Sequence, residues 1–284
     1  MEIIRIAGEL GAEVHGLTLL NNDGLRYLAD TEAEHLRHAV SKYGVLFIRN
    51  LNLSQIEHME FAAKFGTVSN AHPLLTNTTE NPNIFEINYT TGRTYQPFKQ
   101  YQTDNPKGGK SSGVAWHTDM TFLEQPPMFS ILSAQEMPEF GGDTIWSNQA
   151  SACAALSKPM RQFLMTLSAY HNSMTSESGE TMSAIHPVII SHPTISGIPI
   201  LYVNETFTTR IKELSLKESD KLLEFLFSHA NQHQFTARYR WTQGDIAIWD
   251  NRLTQHAVVG DFHNQPRRIQ RVVTSGERPL PFNV

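Results

Sequence analysis

Trp116-His117-Thr118-Asp119 decides how this chain is read, together with Trp249-Asp250-Asn251-Arg252-Leu253-Thr254-Gln255-His256 far downstream. Along an extended strand, side chains two residues apart project to the same side, so His117 and Asp119 are predicted to share a face. Two imidazoles and one carboxylate on one side of a metal form the facial triad of non-haem Fe(II) oxygenases. Arg267-Arg268-Ile269-Gln270-Arg271 comes next. The same alternation puts Arg267, Ile269 and Arg271 on one strand face and Arg268 on the other. A metal triad beside fixed cations suits an oxidation driven by a 2-oxo acid.

The segments around these residues read as short strands. Met128 to Ala134, Ile145-Trp146 after the Gly141-Gly142 turn, Pro199 to Val203, Ile246 to Trp249 and Ile269 to Val273 are the candidates. Helices are few. Thr31-Glu32-Ala33-Glu34 and Ser54-Gln55-Ile56-Glu57 read as capping boxes, the first opening a helix with Leu36, Ala39 and Val40 on one face. The second helix should stop near Gly66. Further helices are predicted within 148–168 and, from the capping box Ser215-Leu216-Lys217-Glu218, to about residue 230. The apolar run Gly44 to Ile48 is a buried strand, and this αβα opening is expected to pack outside the main sheet. Mainly β structure with flanking helices suggests a double-stranded β-helix, a jelly-roll core of two facing sheets. That architecture brings an early His-x-Asp and a late histidine to one mouth.

No repeat or linker divides the chain, so residues 1–284 are read as a single domain. Residues 76–113 are rich in Asn, Thr, Gly, Lys and Ser, interrupted by the strand-like Asn83-Ile84-Phe85-Glu86-Ile87. A loop of that length in a compact domain is usually functional, and it is read as a flap leading into His117. The polar stretch 171–186 is read as a second lid.

Composition bounds the partners. With 40% hydrophobic and 18% charged residues the chain is an ordinary globular protein. A net charge of −5 with no basic run argues against nucleic acid, although a few convergent arginines in a cleft still attract a small anion. Cys153 is the single cysteine, which excludes an intramolecular disulfide and fits a reducing compartment. No signal-peptide pattern and no span of roughly 20 apolar residues occurs, so a cytoplasmic protein without membrane contact is expected. A homo-oligomer is left open.

Each residue also has a plain structural reading. A histidine is more often a surface or capping residue than a ligand. Arg267 and Arg271 would serve as surface ion pairs, and Thr144 as a strand threonine. A zinc hydrolase would use the two histidines and the aspartate but leave both arginines idle. A non-catalytic metal-binding barrel has no need of a carboxylate clamp. Taken jointly, the features follow the order that one mechanism requires.

The chain resembles the taurine/alpha-ketoglutarate dioxygenase family over most of its length. Residues carrying the resemblance are Trp116 to Phe122, Gly141-Gly142-Asp143-Thr144-Ile145-Trp146, Val203 to Arg210, Ile246 to His256, and Arg267 to Arg271. The resemblance implies Fe(II), 2-oxoglutarate as co-substrate and O2. It assigns the metal to His117, Asp119 and His256, and the distal carboxylate of 2-oxoglutarate to Thr144 and Arg267. A guanidinium presents two parallel donors to a carboxylate and a hydroxyl adds a third. Arg271 matches the position that meets the prime substrate's anionic group or the co-substrate; His72 and Phe207 match substrate-pocket positions. The implied reaction couples decarboxylation of 2-oxoglutarate, to succinate and CO2, to hydrogen abstraction from a substrate C–H, with flap and lid as shields.

Two departures narrow the substrate. Taurine-cleaving members carry a tyrosine three residues after the pocket histidine, where this chain has Leu75. They carry an asparagine four residues before the first ligand histidine, where it has Gly113. Leu75, Met120, Phe207 and Arg271 suit a larger, partly apolar molecule with an anionic head, hydroxylated with C–S or C–O cleavage as an outcome. An alternative keeps the cofactors and hydroxylates or desaturates an amino-acid-derived or natural-product substrate.

Overall fold

Alternating side chains along four central strands sort the interior into two apolar layers. The computed structural model describes residues 1–75, 79, 81–89, 115–176, 179–263 and 265–283. The chain opens with β1 (Glu2–Arg5), β2 (Ala12–His15), β3 (Leu20–Asn22), β4 (Leu25–Tyr27), α1 (Asp30–Tyr43), β5 (Val45–Ile48) and α2 (Gln55–Ala63). β6 (Phe85–Tyr89), β7 (Phe129–Glu136), β8 (Thr144–Asn148), α3 (Gln149–Ala155) and α4 (Lys158–Leu164) follow. Next come β9 (Ser168–Asn172), β10 (Ser183–Pro187), β11 (Ile189–Ser191), β12 (Pro199–Leu201), β13 (Thr208–Ile211) and α5 (Leu216–Ala230). β14 (Thr236–Tyr239), β15 (Ile246–Asp250), β16 (Thr254–Val258) and β17 (Arg267–Val273) complete the order.

The major sheet runs β1-β2-β5-β15-β7-β17-β6, and the sheet facing it runs β14-β8-β16. In β15, Ile246 and Ile248 point outward while Ala247 and Trp249 point inward. Leu46 and Ile48 of β5 and Phe129 and Ile131 of β7 join the outer layer, where Ala33, Leu36, Ala39 and Val40 of α1 cover them. Val45, Phe47, Leu132, Ala134 and Ile269 face inward and meet Trp146 of β8 and Tyr239 of β14. Phe47 stacks on Tyr239 at 4.0 Å between centroids and meets Trp146 edge-on at 5.2 Å. Full burial of such side chains stabilises by roughly 1.5–3 kcal/mol each. A third layer of α3, α4 and α5 packs on β9, β12 and β13 behind the smaller sheet, through Cys153, Leu164, Leu223 and Leu226. Two sheets facing each other across one core, with helices outside, are the expected jelly roll.

Three local expectations are corrected. The αβα opening is not outside the main sheet: β5 lies within it, parallel to β2 and antiparallel to β15. All four of its residues are buried, because the sheet covers one face and α1 the other. Thr31 does not cap α1, which begins at Asp30 after Ala29 with no side-chain cap; the Thr31 hydroxyl bonds Glu32 instead. The boxes at Ser54 and Ser215 do form. The stretch read as a lid over 171–186 is strand at both ends, since β9 and β10 pair from Ser168↔Pro187 to Asn172↔Ser183. Most of the flap 76–113, Gly113 included, lies outside the described residues. No described helix is long and apolar enough to cross a membrane.

Candidate active site

His117 and His256 meet through their backbones. The N–H of His117 donates to the carbonyl of His256 at 3.0 Å, and that of His256 to the carbonyl of His117 at 2.8 Å. Their rings then lie 4.1 Å apart. Ligand atoms of His117, Asp119 and His256 fall within 4.8 Å of one another, and all three residues are buried.

The strand expected through His117 and Asp119 is replaced by something tighter. His117 makes one isolated bridge, to His256, and the chain turns at Asp119 and Met120, the latter with φ 51°. Asn251 holds this turn. It accepts the N–H of Asp119 at 2.9 Å and donates to the carbonyls of Asp119 (3.0 Å) and Pro127 (3.1 Å). His256 sits in the middle of β16.

The protonation states suit a metal. Burial opposes the charge on Asp119, but the Arg271 guanidinium, with help from the Ser130 hydroxyl, overcomes it and holds the carboxyl well below the usual range. Ser130 donates to Asp119 Oδ2 at 2.7 Å, and Arg271 Nη1 to Oδ1 at 2.5 Å. Burial pushes both imidazoles down, so they are neutral. His117 Nδ1 donates to the carbonyl of Ala115 at 3.0 Å, leaving the Nε2 lone pair on the side of Asp119. His256 Nδ1 is buried without a hydrogen-bond partner among the described residues. Neutral imidazoles beside an ionised carboxylate are the state that divalent-metal ligation requires. The residues therefore fit a non-haem iron with open positions.

A second feature lies deeper. Arg267 is 1% exposed, and among the described residues its guanidinium hydrogen-bonds only neutral partners: Nε donates to the carbonyl of Gly142 at 2.8 Å and Nη2 to Thr144 Oγ1 at 3.2 Å. Tyr89 lies 5.8 Å from its centre. Burial pushes this guanidinium down to about 10. The Arg267 chain passes so close that a Cβ on Gly142, at φ 69°, would stand 3.1 Å from its Cδ and 2.9 Å from Pro138 Cγ. An unpaired buried cation is costly unless an anion joins it. Thr144 is primed for the same anion. Its oxygen accepts from Arg267 and from Trp241 Nε1 (2.9 Å), so both lone pairs are engaged and its proton is free to donate.

One cavity gathers the sequence candidates. Its walls include His72, Leu75, Met120, Thr144, Phe207, Arg267 and Arg271 together with the three triad residues. Phe85, Ile87 and Tyr89 of β6, within the stretch read as a flap, and Ser173 to Ser176, within the stretch read as a lid, also line it, though none was named as a site residue. Nor did sequence reasoning find Ser130, Asn251 and Trp241 as supports. Asn251 stood inside a quoted motif, but its partners are more than a hundred residues away in sequence, and no local pattern announces them.

Comparison with known proteins agrees with this geometry. The family model described as taurine catabolism dioxygenase TauD, TfdA family matches residues 3–273. An alpha-ketoglutarate-dependent sulfate ester dioxygenase of Pseudomonas putida is 32% identical over 99% of this chain and 91% of its own. An alkylsulfatase of Acinetobacter baylyi is 29% identical, over 98% and 86%. The crystal structure of a taurine dioxygenase from Burkholderia xenovorans superposes with a TM-score of 0.81 at 30% identity, covering 99% of this chain and 92% of that one. With the family model matching nearly the whole length, the chain belongs to the TauD, TfdA family of 2-oxoglutarate-dependent dioxygenases.

Proposed function

We propose that this enzyme is an Fe(II)- and 2-oxoglutarate-dependent dioxygenase that oxidises a sulfate ester or sulfonate with an apolar chain. The observation that carries the reading is Arg267, a fully buried guanidinium without a carboxylate partner among the described residues, opening on the cavity that holds the triad. His117, Asp119 and His256 hold the metal; Thr144 and Arg267 receive the distal carboxylate of 2-oxoglutarate. When bound, Fe(II) supplies the oxidising chemistry, with O2 as oxidant and 2-oxoglutarate consumed to succinate and CO2. The protein's own task is to orient a C–H bond toward the triad and to keep water out. Leu75, Met120, Phe122 and Phe207 do the second and shape the tail pocket. Oxygen inserted at the carbon bearing a sulfate ester gives a species that expels sulfate and leaves an aldehyde.

The relatives named for sulfate esters and alkyl sulfates support the substrate class. The test is succinate release across a chain-length series of alkyl sulfates and sulfonates, with taurine beside them. Each methylene buried contributes about 0.8 kcal/mol, roughly a fourfold gain in kcat/KM. A hexyl chain is therefore expected to surpass taurine by well over tenfold. Taurine as the best substrate would overturn the reading.

The hydroxyl of Thr144 yields a separate expectation. Trp241→Phe removes one of its two donors, so the 2-oxoglutarate Kd should rise about threefold to tenfold. In a Thr144→Val background the same change should do nothing further, and an additive loss would show that Trp241 acts through packing alone.

A further inference from the structure

The substrate end of the cavity presents two donors of different charge. His72 Nδ1 accepts the N–H groups of Leu74 (3.1 Å) and Leu75 (3.0 Å). A ring nitrogen that accepts two amide protons keeps its lone pair there, so the single proton of the neutral ring sits on Nε2. Nε2 has no hydrogen-bond partner among the described residues, and the ring forms cavity wall between Phe85 (5.6 Å) and Phe122 (6.0 Å). Arg271 also meets Phe85, its guanidinium 5.4 Å from that ring. It is 7% exposed; Nη1 pairs with Asp119, and Nε is buried with no partner among the described residues.

The charged groups acting on His72 are Arg271 from β17 and Asp119 from the turn after His117; Phe85 of β6 and Phe122 are apolar. Burial, and then Arg271, push the imidazole down to about 3. It remains a neutral donor over the working range of an enzyme. With Fe(II) and the 2-oxoglutarate dianion in place, Asp119, Arg267 and Arg271 leave the cavity with a single net positive charge.

We propose that this end of the cavity selects its substrate by charge number, taking the monoanionic head of a sulfate monoester or sulfonate and refusing the dianionic head of a phosphate monoester. The inference rests on the cofactor reading above. All three heads are tetrahedral and of similar size, so shape discriminates little between them. A monoanion neutralises the cavity and is gripped by Arg271 and the Nε2–H of His72. A dianion leaves one uncompensated negative charge between aromatic and aliphatic walls, and a neutral imidazole has no second charge to offer it.

The experiment is anaerobic calorimetry on the Fe(II)- and 2-oxoglutarate-loaded protein, with hexyl sulfate, hexanesulfonate and hexyl phosphate as probes. A phosphate monoester loses its second proton near pH 6, so it is a dianion at about pH 8 and largely a monoanion at about pH 5.5. At the higher pH the phosphate should bind at least about tenfold more weakly than whichever sulfur anion binds better, and the gap should nearly close at the lower pH. The two sulfur probes should change by less than about threefold between the two. His72→Lys, which adds a charge, should improve hexyl phosphate relative to hexyl sulfate at the higher pH, whereas His72→Gln should keep the wild-type order. Hexyl phosphate matching hexyl sulfate at the higher pH in the wild type overturns the inference and leaves the proposed function standing. A sulfate that tightens tenfold on acidification also overturns it, because His72 would then be gaining charge. No binding by either sulfur anion while 2-oxoglutarate still binds removes the substrate class and this inference with it.

Discussion

Arg267→Leu is expected to raise the 2-oxoglutarate concentration for half-maximal turnover by about two orders of magnitude, while Arg268→Leu leaves it within about threefold. Losing one partner of a buried charge pair costs about 2–5 kcal/mol, and each 1.4 kcal/mol is about tenfold. Arg267 is that partner, buried on the inner face of β17. Arg268 points outward, its side chain 36% exposed, and reaches Glu86 at 3.4 Å and Glu136 at 3.8 Å. Exposed pairs of that kind contribute under about 1 kcal/mol. The variant should also melt no lower than wild type without 2-oxoglutarate, since leucine removes an unpaired buried charge. Equal kinetic damage from both substitutions would show that the inward face of β17 is misassigned.

His117→Ala and His256→Ala are expected to abolish Fe(II) binding and turnover together. Anaerobic titration of Fe(II) with 2-oxoglutarate should give no charge-transfer absorption, while the circular dichroism of the fold is retained. Losing a supporting group rather than a ligand costs about 10–100-fold in metal affinity. Ser130→Ala, which frees Asp119 Oδ2, belongs to that milder class and should bind iron about tenfold more weakly. Full turnover by either alanine variant of the histidines would remove them from the metal site.

Much of the site was legible because its chemistry needs charged and imidazole groups that a core otherwise avoids. His117, Asp119, His256, Thr144 and Arg267 could be picked out as residue types, and strand alternation placed Arg267 and Arg271 together correctly. Alternation failed at His117-Thr118-Asp119, where a left-handed Met120 and a clamp by Asn251 replace the strand. That clamp depends on tertiary contacts, which no local period encodes. Likewise Thr31 had the residue pattern of a helix cap, yet α1 starts at Asp30 without a side-chain cap. The run Val45–Ile48 was legible as a buried strand, but its neighbours β2 and β15 were not, because pairing partners leave no mark on an apolar run.

The reciprocal backbone bonds between His117 and His256 bear on how such an enzyme can change. Two of the three candidate ligands are registered by that bridge and not by the chain that runs between them. Met174 and Phe207, which line the cavity, both lie within the intervening stretch. Insertions, deletions and replacements there can alter what the cavity admits while the two histidines keep their spacing. What the cavity admits can thus change in this architecture while the spacing of the two histidines is kept.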